Sequence, residues 1–142
     1  DMEINWKQIK NRKKDESIEH ILPQKIRGID YWENLYEDFS KKERKILSHS
    51  LGNLILISNK KNFSMKNSPF PEKKIRNKNV SKYKSYRYGT LSERKLMEYE
   101  DWTADKILYR GLNLLNFLEK RWQIDLGCKR EKEEILQMEF LD

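Results

Sequence analysis

The sequence predicts a mostly helical α+β fold, with a small two-stranded antiparallel hairpin embedded among helices, and three observations predict it. Two short apolar runs, residues 17–22 (SIEHIL) and 54–57, are bounded by Pro23 and Gly52 and read as strands. Ser40 followed three residues on by Glu43 is a capping-box pattern that opens a helix. In residues 102–122, Ile107, Leu108, Leu112, Leu115, Leu118 and Trp122 recur at helical spacing. A two-stranded hairpin is marginal by itself, so the surrounding helices must supply most of the buried apolar area.

Each element follows in order along the chain. Residues 2–14 are polar, with Ile4, Trp6 and Ile9 as apolar points, and suit a short leading helix. The first strand ends at Pro23, which has no N–H to give to a ladder, and Gly28 marks a turn. Residues 31–39 are expected to be helical, and the helix capped by Ser40 should run to about residue 48. Gly52 breaks the chain before the second strand. Residues 59–66 then have helical propensity until Ser68 and Pro69 stop it. Residues 67–88, with Pro69, Pro71 and several Asn and Ser, should be the least regular part. Thr90 or Ser92 can cap a helix over 91–99, the 102–122 stripe reads as packing surface, and 131–141 suits a final short helix. There are no internal repeats and no low-complexity segment. One domain over 1–142 is expected, with a hairpin-and-helix core at about 17–68, a basic loop region at about 69–90 and a helical part at about 91–142. Beginning at Asp1, the sequence reads as a fragment of a longer chain.

Composition narrows the function. No stretch approaches the roughly 20 apolar residues of a membrane span. Cys128 is the only cysteine, which excludes an intramolecular disulfide or a zinc site built on cysteine pairs and fits a reducing, cytoplasmic setting. The net charge is +7, and it is unevenly placed. Between Lys60 and Lys95, 12 basic side chains face only Glu72 and Glu93, a local excess of +10. Tyr83, Tyr86 and Tyr88 interleave with these charges, as suits a nucleic-acid surface. Lys61, Lys66, Lys73, Lys74, Arg76, Lys78, Lys82, Lys84 and Arg87 are the expected contacts. A solvated basic surface is the plainer reading of the same residues.

Three short pieces carry the chemistry: Glu19-His20-Ile21-Leu22-Pro23-Gln24, then Gly52-Asn53-Leu54, then Asn62 with Lys66. Their order gives a strand ending in acid-His, a second strand opened by Asn53, and a short helix that carries Asn62 nine residues on. Hydrolysis of a phosphodiester needs an activated water, charge stabilisation at phosphorus and help for the leaving oxygen. His20 has a side chain whose ordinary pKa, about 6.5, lets it accept a proton near neutrality. Glu19 and His20 are neighbours on a strand, so their side chains start toward opposite faces.

This stretch resembles the HNH, or ββα-metal, nuclease superfamily, whose pattern is Asp-His-Ile-x-Pro, then Asn-Leu, then His or Asn on the helix. The rest of residues 18–122 resembles one branch, the C-terminal HNH domain of GmrSD-type modification-dependent restriction proteins. That branch shows a His-x-x-Gly-Asn-Leu segment, here from His49 to Leu54, and a later helix matched by Trp102, Ile107, Arg110 and Leu114. The resemblance implies that His20 is the general base, that Asn53 fixes the loop and the His20 ring, and that Glu19 and Asn62 hold a divalent metal. One carboxylate and one amide suit Mg²⁺ or Mn²⁺. Glu19 in place of the commoner Asp, and Asn62 in place of the name-giving His, leave the preferred metal open. His49 either supports the site or caps its helix. The implied partners are DNA and an N-terminal nucleotide-binding regulatory region of the same protein, in a bacterial restriction or anti-phage system. Two other readings stay open: a non-catalytic nucleic-acid-binding module, and a helical interaction domain whose charge only solubilises it.

Overall fold

A computed structural model of the chain describes residues 16–75 and 84–141. The expected helix at 2–14 and the candidate contacts Arg76, Lys78 and Lys82 lie outside the described residues. The elements are β1 (Glu16–His20), α1 (Asp30–Leu35), α2 (Lys41–His49), β2 (Leu54–Ser58), α3 (Asn59–Met65), α4 (Phe70–Lys74), α5 (Leu91–Lys95), α6 (Ala104–Trp122) and α7 (Lys129–Leu136). Short 3₁₀ turns at Leu51–Asn53, Tyr86–Tyr88, Leu96–Glu98 and Glu139–Leu141 join them. The fold is therefore mostly helical around one small hairpin. No described helix is long and apolar enough to cross a membrane.

β1 and β2 pair antiparallel, with Ser17 opposite Ile57, Glu19 opposite Ile55 and His20 opposite Leu54. Strand alternation then sorts the two faces. Glu19, Ile55 and Ile57 are buried, whereas Ile18 and Leu56 on the other face are exposed. α2 has the capping box read from Ser40 and Glu43, with Ser40 Oγ accepting from the Glu43 N–H and the Glu43 carboxylate accepting from the Ser40 N–H. Thr90 and Glu93 repeat the device at α5.

α4 was not expected. Pro69 precedes it and Pro71 lies in its first turn, where a missing N–H costs nothing, so the prolines start a helix as well as ending one. Phe70 is buried, its ring 5.3 Å from Trp102 and 6.4 Å from Tyr86. The core continues through Trp32, Tyr36, Leu47, Met65 and Ile107. On α6 the fully buried stripe is Ala104, Ile107, Gly111 and Leu115, while Leu108, Leu112 and Leu118 pack at its margins. Trp122 is 59% exposed because the last turn of α6 passes beyond the core. The last expected helix starts earlier, at Lys129, where the Cys128 N–H donates to the Glu131 carboxylate at 2.7 Å, and it stops at Leu136.

The turn Leu51–Asn53 docks directly on α6. A Cβ on Gly52 would overlap the Ile107 carbonyl and lie 2.9 Å from the Gly111 nitrogen, so only glycine permits this approach. Arg110 closes it from the side, donating to Gly52 O at 2.6 Å and Leu54 O at 2.9 Å. Gly52→Ala is expected to cost about 1–3 kcal/mol, as overpacking does. Urea unfolding measures it, and an unchanged midpoint would mean that α6 withdraws freely.

Candidate functional site

The hairpin end and α3 form one small pocket of about 270 Å³, lined by Ile18, Glu19, His20, Gln24, Asn62 and Lys66 among others. Glu19 and His20 from one piece of sequence, and Asn62 and Lys66 from another, therefore meet around one space. His20 sits at the end of β1 and is half-buried. Gln24 Nε2 lies 3.0 Å from His20 Nε2. An amide N–H only donates, so this contact needs a ring nitrogen without a proton. Burial, then the neighbouring His49, then Lys73 lower the His20 pKa below its usual value. All three favour the neutral imidazole, the form that can take a proton.

Asn53 is fully buried and tied on every side. Its Nδ2 donates to Leu22 O at 2.9 Å and Ser48 O at 2.8 Å, and its Oδ1 accepts from the Leu22 N–H at 2.7 Å and Trp102 Nε1 at 2.9 Å. Its backbone carbonyl accepts from the Ile21 N–H at 3.1 Å. These bonds fasten the backbone just after His20; the ring itself is held by Gln24. The Trp102 indole is thus part of the same clamp from the far side of the chain.

Glu19 is on the inner face of β1 and only 3% exposed. Its Oε1 accepts from Lys73 Nζ at 2.6 Å and from the Tyr86 hydroxyl at 3.1 Å. Lys73 is 0% exposed and also donates to His20 O at 3.1 Å and Ile21 O at 3.0 Å. Burial, and then the Glu19 charge, push the Tyr86 hydroxyl well above its usual pKa, so it stays a donor. Asn62 donates through Nδ2 to Ser17 Oγ at 2.8 Å and Ile18 O at 3.0 Å, which turns the amide so that Oδ1 is the atom it can present.

The donor set fits a hard divalent cation of the kind that takes most of its shell from water and substrate. Glu19 and Asn62 are both oxygen donors on one pocket, the donor type such a cation takes, and one Glu19 oxygen also accepts from Lys73 and Tyr86. Among the described residues no group of three His, Cys, Asp or Glu side chains is placed to hold a metal without such help.

The basic residues divide differently from their sequence order. Lys61 is buried in an ion pair with Glu93 at 2.5 Å, Lys73 lies under Glu19, and Lys74 donates to Tyr99 O at 2.6 Å. Lys66, Lys84 and Arg87 are exposed. His49, the last residue of α2, is exposed, with its ring edge-on to His20 at a centroid distance of 5.2 Å. Sequence reasoning missed what Lys73 and Tyr86 do to Glu19, and it missed Gln24 against His20. Gln24 alone carried a local signal, since it follows His20 by four residues across Pro23.

A strand-end histidine, an antiparallel hairpin and a following helix thus surround one pocket. The family of GmrSD restriction endonucleases, C-terminal domain, matches residues 2–117, and the chain belongs to it. No curated protein and no solved structure matches the chain. Membership makes this a restriction-endonuclease domain, with the nuclease activity and nucleic-acid substrate that such a domain implies.

Proposed function

We propose that the chain is an HNH-type, metal-dependent DNA endonuclease in which His20 activates the attacking water. The observation that carries this reading is the meeting of a neutral, half-buried His20 with Glu19 and Asn62 at one pocket. His20 takes a proton from water as it attacks phosphorus, with His49 edge-on to its ring, and the Gln24 amide gives up the ring nitrogen it bonds when water takes that place. Asn53 and Trp102 fix the backbone that carries the ring, which is positioning rather than chemistry. Glu19 and Asn62 would hold a divalent metal, Mg²⁺ or Mn²⁺, which when bound supplies positive charge for the phosphate oxygens and the leaving oxygen. Lys66, on the rim of the pocket, reaches toward phosphate, and Lys84 and Arg87 add exposed charge further out. DNA within a bacterial restriction or anti-phage system, under control of an N-terminal nucleotide-binding region, is the setting this reading implies.

The test is relaxation and linearisation of supercoiled plasmid by the full-length protein in Mg²⁺, Mn²⁺ or EDTA, with DNA binding measured in parallel. Cleavage that needs the metal is the expected result. Salt-sensitive binding with no cleavage in either metal would leave a binding module in its place.

A further inference from the structure

A second cationic surface lies on the other side of the His20 pocket, outside the Lys60–Lys95 segment. Lys41, Arg44 and Lys45 recur on α2 at intervals of three and four residues, followed on the same face by Ser48 and His49. With Lys25 and Arg27 from the loop after β1, these three line an open groove of about 950 Å³ in which, among the described residues, Glu33 is the one acidic side chain. The groove shares Pro23, Gln24, Lys25 and Asn67 with the pocket around His20, so the two are continuous. At its inner end His49 stands edge-on to the His20 ring. Among the described residues none of the five cations is engaged by a carboxylate. By contrast, Lys61, Lys73 and Lys74 are committed to the fold.

We propose that this α2 groove holds the phosphodiester backbone of the DNA strand that enters the His20 pocket, with Lys41, Arg44, Lys45, Lys25 and Arg27 as its phosphate contacts. The proposal rests on the nuclease reading above and names where that nuclease grips its substrate. Five cations in a concave wall raise the local potential for a polyanion, and their number sets the salt dependence of binding. From Lys41 to His49 the helix rises about 12 Å. That length matches about three phosphates of one strand at about 3.4 Å of rise each. The stripe ends where the chemistry begins, so a strand held along it delivers a phosphodiester to His20.

The experiment measures binding of a labelled duplex by fluorescence anisotropy in EDTA across a salt series, using the full-length protein. Lys41→Ala/Arg44→Ala/Lys45→Ala is compared with Lys120→Ala/Arg121→Ala/Arg130→Ala, which removes the same charge outside the groove. The α2 variant is expected to bind about tenfold or more weakly, with the slope of log K against log salt flattened by about 2 to 3, while the second variant keeps the wild-type slope. Circular dichroism checks that both variants fold. Equal slopes for wild type and the α2 variant would overturn the groove while leaving the nuclease reading intact. A wild type that neither binds nor cuts DNA would overturn both.

Discussion

Lys73→Ala is expected to destabilise the domain by about 3–5 kcal/mol, the cost of leaving one charge of a buried pair without its partner. The Lys73 ammonium is fully buried and bonds Glu19 Oε1, His20 O and Ile21 O, so its loss strands one carboxylate and two carbonyls at once. The Tyr86 hydroxyl remains on Glu19 but is neutral and cannot balance the charge. Lys73→Met separates the terms, because it keeps the aliphatic stem and loses the charge and the three bonds. Adding Glu19→Gln to Lys73→Met is expected to recover part of the loss, since the stranded negative charge is then gone. Urea unfolding and a melting curve give the values, and for a chain of this length a fall of about 10 °C or more should accompany the alanine change. A loss below about 1 kcal/mol would mean that the ammonium group is solvated, not buried under the site.

This ion pair also shows where sequence reading reaches its limit. The strands, the α2 cap and the long helix were legible because each is written locally, as alternation, a capping pair or a helical period. The residues that meet at the pocket were legible in two pieces of the family pattern, and the third, Asn53, fastens the backbone behind them. The positions of the charges were not. Lys73 and Glu19 are 54 residues apart, and Lys61 and Glu93 are 32 apart, so nothing in their own neighbourhoods marks them as partners. Read in order, residues 60–95 form a basic run; folded, Lys61, Lys73 and Lys74 turn inward as bolts. α4 escaped notice for a related reason. Pro69 and Pro71 signal a break to a local reading, yet Phe70 between them has Trp102 and Tyr86 to pack against, and that tertiary contact decides in favour of a helical turn. The branch-specific positions gained a physical meaning only in three dimensions. Gly52 lets the turn touch α6, Arg110 closes the gap, and Trp102 holds Asn53.

The same contacts separate what holds the site from what performs the chemistry. The inner face of the hairpin, with Lys73, Tyr86 and the Asn53 clamp, is buried and hydrogen-bonded. His20 stands at the outer edge of that frame, where water can reach it. On the proposed reading, a rigid frame beneath the half-buried His20 is what a proton transfer of fixed geometry requires.

His20→Ala is accordingly expected to lower plasmid cleavage by about 10²–10⁴-fold, the range that one positioned general base contributes. Folding should survive it. His20 is half-buried, its ring meets Gln24 and His49, and the backbone on either side is held by Lys73 and Asn53 without its help. DNA affinity measured in EDTA should stay near the wild-type value, because the neutral imidazole adds little to a phosphate grip made by lysines and arginines. His20→Gln sharpens the comparison, since it restores a hydrogen-bonding side chain of similar reach that cannot take up a proton at neutral pH. It should be as inactive as the alanine variant. If His20→Gln cuts at more than about a tenth of the wild-type rate, the ring serves only to orient water, and the base must be sought elsewhere around the pocket. His49 is one candidate, its ring edge-on to His20 at 5.2 Å between centres and lining the adjoining groove.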